Sequence, residues 1–327
     1  MKTVVTGGAG FIGSNLVRKL LNQGREVIIV DDFSRGKKIN LYDLGIRTDC
    51  LSIDLKDFAQ TSEILKNVET VFHLAARIGG INYLHGSNRN ELEAVQTNLF
   101  IDANVFKACL EHHVSKLVYS SSVSVYPIDL QQSSNVTFSE NILHYFEPDG
   151  GYGWAKLLGE IQLDLMENID IGIARIFNIY GENSVLSGSS HVIVDLIRKA
   201  IQYPEQKFVV WGDGKQSRDF LYVSDCVDAL LQLEKEASNP PIIVNVGSGK
   251  EVSIGTIAEK ITGISGKDIK IEYDTRQPVG PLSRTADITK ARAVLNWQPK
   301  VSLDDGIRRT YLWVQKRLEE EEASGAG

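Results

Sequence analysis

At 327 residues, with 43% hydrophobic and 24% charged side chains, the chain has ordinary globular composition, which excludes a disordered or collagen-like protein. Lys and Arg total 35 against 42 Asp and Glu, a net charge of −7, and this argues against a nucleic-acid partner, which needs a basic face. Cys50, Cys109 and Cys226 are widely spaced with no CxxC pair, so they read as reduced thiols rather than a disulfide framework or a metal site. The longest apolar runs, such as Val27, Ile28, Ile29 and Val30, are strand-sized, so no membrane span is expected. The sequence runs from Met1 straight into a predicted strand with no room for a signal peptide, and the expectation is a cytoplasmic protein.

In chain order, residues 2–6 read as a strand. Residues 11–23 read as a helix with Leu16, Val17, Leu20 and Leu21 on one stripe and Gly24 as its stop. Strands are predicted at 26–30, 70–74, 116–120 and 171–177, with helices at 93–111 and 152–166 between them. Apolar strands alternating with helices indicate a parallel sheet covered on both faces, an α/β doubly wound (Rossmann) fold. The second half loses that alternation. It reads as helix 189–202, strand 208–211, helix 223–237, strand 242–246, helix 253–262, strand 268–274, helix 287–295 and a long helix 302–323. A Gly-, Asn- and Ser-rich stretch near 178–190 marks the expected domain junction. The expected division is a dinucleotide-binding domain over 1–178 and a smaller mixed α/β substrate domain over 179–327, with segments near 208–247 returning to the first.

Gly7, Gly8, Gly10 and Gly13 lie between the first strand and the first helix, with Phe11 and Ile12 opening that helix. Glycines there permit a tight turn and close approach of backbone to a pyrophosphate, which the helix N-terminus then faces. Asp31 and Asp32 end the second strand, with Asp31 21 positions beyond Gly10 (31 − 10). A carboxylate at that point bonds ribose hydroxyls and repels a 2′-phosphate, so NAD is favoured; Arg35, Lys37 and Lys38 keep NADP open. Ser34, Asp54 and Leu55, the strand end Leu74, Ala75 and Ala76, and Asn98 complete the candidate cofactor contacts, although Asp54 reads equally well as a turn former.

Tyr152 and Lys156 are four apart and share a helix face. A nearby ammonium is expected to lower the tyrosine pKa, and a tyrosine near working pH removes a hydroxyl proton while hydride leaves the same carbon. Ser120, Ser121 and Ser122 close the strand predicted from 116, at the sheet edge where doubly wound folds bind ligands.

Taken together, these segments resemble the extended short-chain dehydrogenase/reductase family, in its NAD-dependent nucleotide-sugar epimerase and dehydratase group. The resemblance spans almost the whole chain. It implies bound NAD, a nucleotide-sugar substrate, and a homodimer formed through the helices at 93–111 and 152–166. In the segment from Ala174 to Gly181 it implies that Asn178 contacts the substrate diphosphate. In the segment from Trp211 to Phe220 it makes Arg218 a diphosphate ligand, with Arg284 as the second. Guanidinium forks match phosphate oxygens, which makes the pair chemically sensible.

Three segments are similar to the GDP-mannose 3,5-epimerase and GDP-fucose synthase branches: Ala75 to Ile81 with Gly79 and Gly80, Ser122 to Pro127, and Ser190 to Ile193 with His191. Those branches carry a cysteine two residues after the catalytic serine, where this chain has Ser124. Dehydratases carry Asp-Glu after their catalytic threonine, where Val123 and Ser124 stand here. Two routes follow once Tyr152 has taken the C4 hydroxyl proton and C4 has lost hydride. Either hydride returns to the other face of the ketone and inverts C4, or the ketone acidifies C3 and C5 and a second acid/base inverts those carbons. A serine is a poor base where a thiolate is a good one, which weakens the second route, while His191 is its remaining candidate. The expectation is a GDP-hexose epimerase, such as one for GDP-mannose, inverting C4 in preference to C3 and C5. The alternatives are a GDP-4-keto-sugar epimerase/reductase, a UDP-hexose 4-epimerase, and a non-catalytic NAD sensor, which would need none of Ser122, Tyr152 and Lys156.

Overall fold

The computed structural model describes residues 2–42, 50–78, 87–132, 136–142, 147–186 and 191–325. Its strands are β1 (Lys2–Thr6), β2 (Glu26–Asp31), β3 (Cys50–Ser52), β4 (Thr70–His73), β5 (Lys116–Ser122), β6 (Thr137–Phe138), β7 (Asp170–Ile176), β8 (Asn178–Tyr180), β9 (Val209–Trp211), β10 (Ser217–Tyr222), β11 (Ile242–Val246), β12 (Glu251–Ser253), β13 (Glu272–Asp274) and β14 (Thr285–Ala286). The helices are α1 (Phe11–Asn22), α2 (Ile39–Tyr42), α3 (Phe58–Ile64), α4 (Asn88–Glu111), α5 (Ile128–Gln131), α6 (Gly150–Asp164), α7 (Val192–Ile201), α8 (Val223–Glu236), α9 (Ile254–Ser265), α10 (Thr289–Leu295) and α11 (Leu303–Gly325).

Seven parallel strands form one sheet in the order β11-β7-β5-β4-β1-β2-β3. Strand order reverses between β1 and β4, where Thr6 pairs with His73, and a doubly wound sheet opens its ligand crevice at such a switch point. Alternate residues face opposite sides, so each strand feeds two cores. Val5, Phe72 and Val118 pack with Leu16, Val17 and Leu20 of α1 and Leu230 and Leu233 of α8. Their neighbours Val4, Val71 and Leu117 pack with Val105, Phe106 and Cys109 of α4 and Leu163 of α6. This two-sided burial is why the strands read as unbroken apolar runs.

Strand β10 has no apolar period in the sequence. All six residues of β10 are buried although Ser217, Arg218 and Asp219 are polar. It lies between β8 and β12, and Asp219 accepts from the backbone N–H groups of Ser248, Gly249 and Ala286, so polar burial is compensated. Helix α4 begins five residues before the predicted start at 93, because the Ser87 hydroxyl caps it by accepting from Asn90 N. The strand predicted over 268–274 contracts to Glu272–Asp274.

Past residue 178 the chain rejoins the large sheet as β11, at the edge opposite β3. The β6–β14 pairing draws the segment around Arg284 toward the chain that leads into α6. Among the described residues no helix is long and apolar enough to cross a membrane.

Candidate active site

The turn from β1 into α1 is closed by backbone. Gly7 has φ +66°, and a Cβ there would stand 2.9 Å from Ala75 N, so the turn and the end of β4 meet without room for a side chain. Phe11, Ile12 and Gly13 open α1, where N–H groups lack intrahelical acceptors and the helix dipole favours an anion. Leu74 N and Ala75 N both donate to Thr6 Oγ1, at 3.1 and 3.2 Å, which fixes the loop carrying Ala76.

The two acids after β2 divide. Asp31 is buried and accepts from Ala9 N (3.0 Å) and Phe33 N (2.9 Å), so it ties the glycine turn to β2. Burial raises its pKa against these backbone bonds. Asp32 is exposed and accepts from Ser34 N and Ser34 Oγ. Asp54 is exposed, with its carboxylate on Lys56 N at 3.0 Å, a turn-forming contact, and Leu55 is buried beneath it. Asn98 spans the Arg77 backbone, its Oδ1 accepting from Arg77 N (2.7 Å) and its Nδ2 donating to Arg77 O (3.0 Å), so it acts on the site by holding this loop. Gly79 and Gly80 lie outside the described residues.

Ser122 ends β5 and its Oγ caps the single turn Val123–Val125 by accepting from Ser124 N at 3.1 Å. Ser124 O in turn accepts from Asp149 N at 2.9 Å, which seats the start of α6 against β5. Tyr152, in the first turn of α6, is buried. Its pKa is raised, first by burial and then by the Asp102 carboxylate, with Ser122 pulling the other way. This corrects the expectation of a phenol lowered by Lys156. The Lys156 ammonium lies over the Tyr119 ring, 4.4 Å from its centroid, and Nζ has no hydrogen-bond partner. Burial lowers the Lys156 pKa, while Asp102 and Glu160 oppose that fall. Four-residue spacing placed the two side chains on one face, and the ammonium lies over the Tyr119 ring.

The candidate diphosphate ligands also come together. Arg218 is buried on β10, with Nη1 donating to Ser217 O (2.6 Å) and Nη2 to Val279 O (3.1 Å). Burial, and then the charge of Arg284, lower its proton affinity. Arg284 pairs with Asp149, and its Nε is buried without a partner. Asn178 Oδ1 is likewise buried without a partner. Two buried guanidiniums within electrostatic reach of each other favour a polyanion between them. His191 stands apart. It precedes α7 on extended backbone, and burial of the ring, then the charge of Arg35, lower its pKa. Among the described residues no hydrogen bond ties it to Ser124 or Tyr152.

Sequence reading passed over His73, Asp102, Glu160 and Arg175. A signal existed for Asp102: it lies on the stripe Asn98, Ile101, Val105 and Cys109, an acid on the buried face of a helix.

A closed glycine turn, an unpartnered buried ammonium and a Tyr–Ser pair at the switch point define a Rossmann-type NAD enzyme. Gly7 fits close approach of a pyrophosphate, and the Lys156 ammonium fits ribose hydroxyls. Comparison places the chain more narrowly. It matches the NAD dependent epimerase/dehydratase family over residues 3–247. It is 30% identical to GDP-mannose 3,5-epimerase 1 of Oryza sativa subsp. indica, over 99% of this chain and 84% of that one. It is 31% identical to UDP-glucuronic acid decarboxylase 1 of Arabidopsis thaliana, over 99% and 72%. The crystal structure of a Thermotoga maritima UDP-glucose 4-epimerase with UDP-glucose superposes with a TM-score of 0.87, at 28% identity, covering 97% of this chain and all of that one. The chain belongs to the NAD dependent epimerase/dehydratase family. It is an NAD-dependent enzyme of the sugar-nucleotide class.

Proposed function

We propose that the protein is a nucleotide-sugar 4-epimerase acting on a GDP-hexose such as GDP-mannose. The observation that carries this reading is a single proton-handling centre. Tyr152 is buried in the first turn of α6, which the Asp149 N–Ser124 O bond seats beside Ser122 at the end of β5, whereas the second acid/base position holds the hydroxyl of Ser124, and no described hydrogen bond ties His191 to either. Similarity to the rice enzyme along 99% of the chain supports the guanosine nucleotide.

The roles follow from the geometry. Arg218, Arg284 and Asn178 anchor the diphosphate, leaving the hexose as the movable end. Ser122 orients the C4 hydroxyl, and Tyr152 takes its proton and later returns it. NAD, held at the Gly7 turn and by Lys156, would supply the hydride acceptor for C4 and the donor for its return. The sugar turns about its anchored diphosphate between the two transfers, which inverts C4. Neither Ser124 nor His191 has to remove a proton from carbon on this route. The Thermotoga structure, which holds UDP-glucose, favours a second reading in which the nucleobase is uracil.

A homodimer accompanies the proposal. Trp154, Leu158, Ile161 and Leu165 form an exposed apolar stripe along and just beyond α6, and Leu92 and Phe100 of the adjoining α4 are exposed too. Light scattering is expected to give twice the chain mass.

The test is incubation of NAD-loaded protein with GDP- and UDP-hexoses in deuterated water. The expected result is a C4-inverted GDP-sugar without solvent deuterium. Deuterium at C3 or C5 sinks the C4 route, and turnover of UDP-sugars alone transfers the proposal to the second reading. Net oxidation of NADH by a 4-keto-sugar with no epimerisation of the parent makes the protein a reductase.

A further inference from the structure

Asp102 sits near the middle of α4 with 0% of its surface exposed. One carboxylate oxygen accepts from Tyr119 OH at 2.6 Å, and the other is 3.0 Å from His73 Nε2. His73 Nδ1 is 2.7 Å from Thr6 Oγ1, the hydroxyl that also holds Leu74 N and Ala75 N. A carboxylate only accepts, so Nε2 carries the histidine proton and Nδ1 accepts from Thr6. Burial lowers the His73 pKa and keeps the ring neutral. On the far side, α6 seats directly on the carboxylate: a Cβ at Gly159, one turn beyond Lys156, would stand 3.0 Å from Asp102 Oδ2.

Charge balance singles out the partner. The groups facing this cluster are His73 on β4, Tyr119 on β5, Asp102 on α4, and Tyr152, Lys156 and Glu160 on α6. Glu160 is matched by Arg175, whose Nε and Nη2 donate to it at 3.0 and 2.7 Å. With that pair neutral overall and His73 uncharged, Lys156 is the cation left for Asp102. Burial by itself would raise the Asp102 pKa; the charge of Lys156, then His73 and Tyr119, bring it below the usual carboxylate value.

We propose that Asp102 is the counter-ion of Lys156, a positioning residue acting across Tyr119, whose ring the ammonium overlies at 4.4 Å and whose hydroxyl donates to the carboxylate at 2.6 Å, with His73 fixing the other oxygen. The role rests on the reading of Tyr152 and Lys156 as the acid/base pair. A hydrogen-bonded line runs from the Leu74–Ala75 backbone through Thr6 and His73 and ends at the Asp102 carboxylate. Asp102 also opposes ionisation of Tyr152, so the anion acts on both members of the pair with one sign. Removing it makes both give up their protons more readily.

The first test needs no substrate. In a thermal double-mutant cycle on NAD-loaded protein, Asp102→Asn and Lys156→Met each lower Tm, and the double variant loses less than the sum, because each single change strands a buried charge. Additive losses overturn the ion pair. The second test is the pH profile of kcat on the best-converted sugar nucleotide. Asp102→Asn is expected to move both limbs about one pH unit toward acid, as loss of a nearby anion favours both deprotonated forms. A uniform fall in kcat with unmoved limbs makes Asp102 a packing residue and overturns the proposal. If the wild type converts no sugar nucleotide, the 4-epimerase reading fails while the thermal cycle still decides the pairing. If Asp102→Asn does not fold, Lys156→Met decides alone. Its unpaired carboxylate has a raised folded pKa, so its Tm deficit should shrink as pH falls toward 5. A deficit independent of pH overturns the pairing.

Discussion

The two ends of the cleft are built from different materials. At the cofactor end, residues between Gly7 and Ser34 form the site almost by themselves, through backbone N–H groups, a positive φ and carboxylates that bond the main chain. At the substrate end, Asp149, Asn178, Arg218 and Arg284 come from separate elements, and the Arg284–Asp149 pair closes across 135 positions of sequence. On the proposed function, the first end would recognise its ligand by close backbone approach. The second does so by buried charge, whose energy depends on low dielectric and on every partner being present. Substitutions should therefore act locally on cofactor binding at one end, and act on substrate affinity and on folding together at the other.

The largest expected effect falls where the two ends meet. Tyr152→Phe removes the proton acceptor while keeping the ring that fills its buried place. Activity should fall by on the order of a thousandfold, with Tm and NAD content nearly unchanged. Reduction of bound NAD by a sugar nucleotide in this variant would remove Tyr152 from the chemistry.

The next effect tests the substrate end. Arg218→Lys and Arg284→Lys keep the charge and lose the fork. Each should raise KM for the sugar nucleotide roughly thirtyfold, from loss of about 2 kcal/mol of charged hydrogen bonding. Arg284→Lys should also lower Tm, because Asp149 loses part of its pairing. An unchanged KM with a lower Tm in both variants would leave the two arginines as structural ion-pair residues.

The smallest effect sharpens the contrast at the cofactor end. Asp31→Ala leaves the N–H groups of Ala9 and Phe33 without their acceptor, at a cost of about 1–3 kcal/mol, and should lower both Tm and NAD affinity. Asp32→Ala, on an exposed turn, should change Tm by less than about 0.5 kcal/mol equivalent and chiefly relax discrimination against NADP. Equal losses of stability in the two variants would contradict the division of labour between the acids.

Legibility in the sequence followed the same line. Strands β1 and β11 fall on their predicted residues, and α1 ends one residue before its predicted limit, because apolar period and glycine stops are local signals. Strands β8 and β10 were not readable, since their polar residues are buried only through pairing with chain far away. The spacing of Tyr152 and Lys156 was readable, but the direction of the ammonium was not.

By itself, then, the sequence determined the doubly wound sheet, the glycine turn and the residue types of the site, because each depends on periods and propensities within a few positions. Only the tertiary structure decided that Asp31 braces the turn while Asp32 faces solvent, that Arg218 and Arg284 lie within electrostatic reach of each other, and that the Lys156 ammonium lies over the Tyr119 ring. Those outcomes depend on desolvation and on charges brought together from distant segments. A buried charge takes whichever partner the packed fold places in reach, whatever its spacing along the chain.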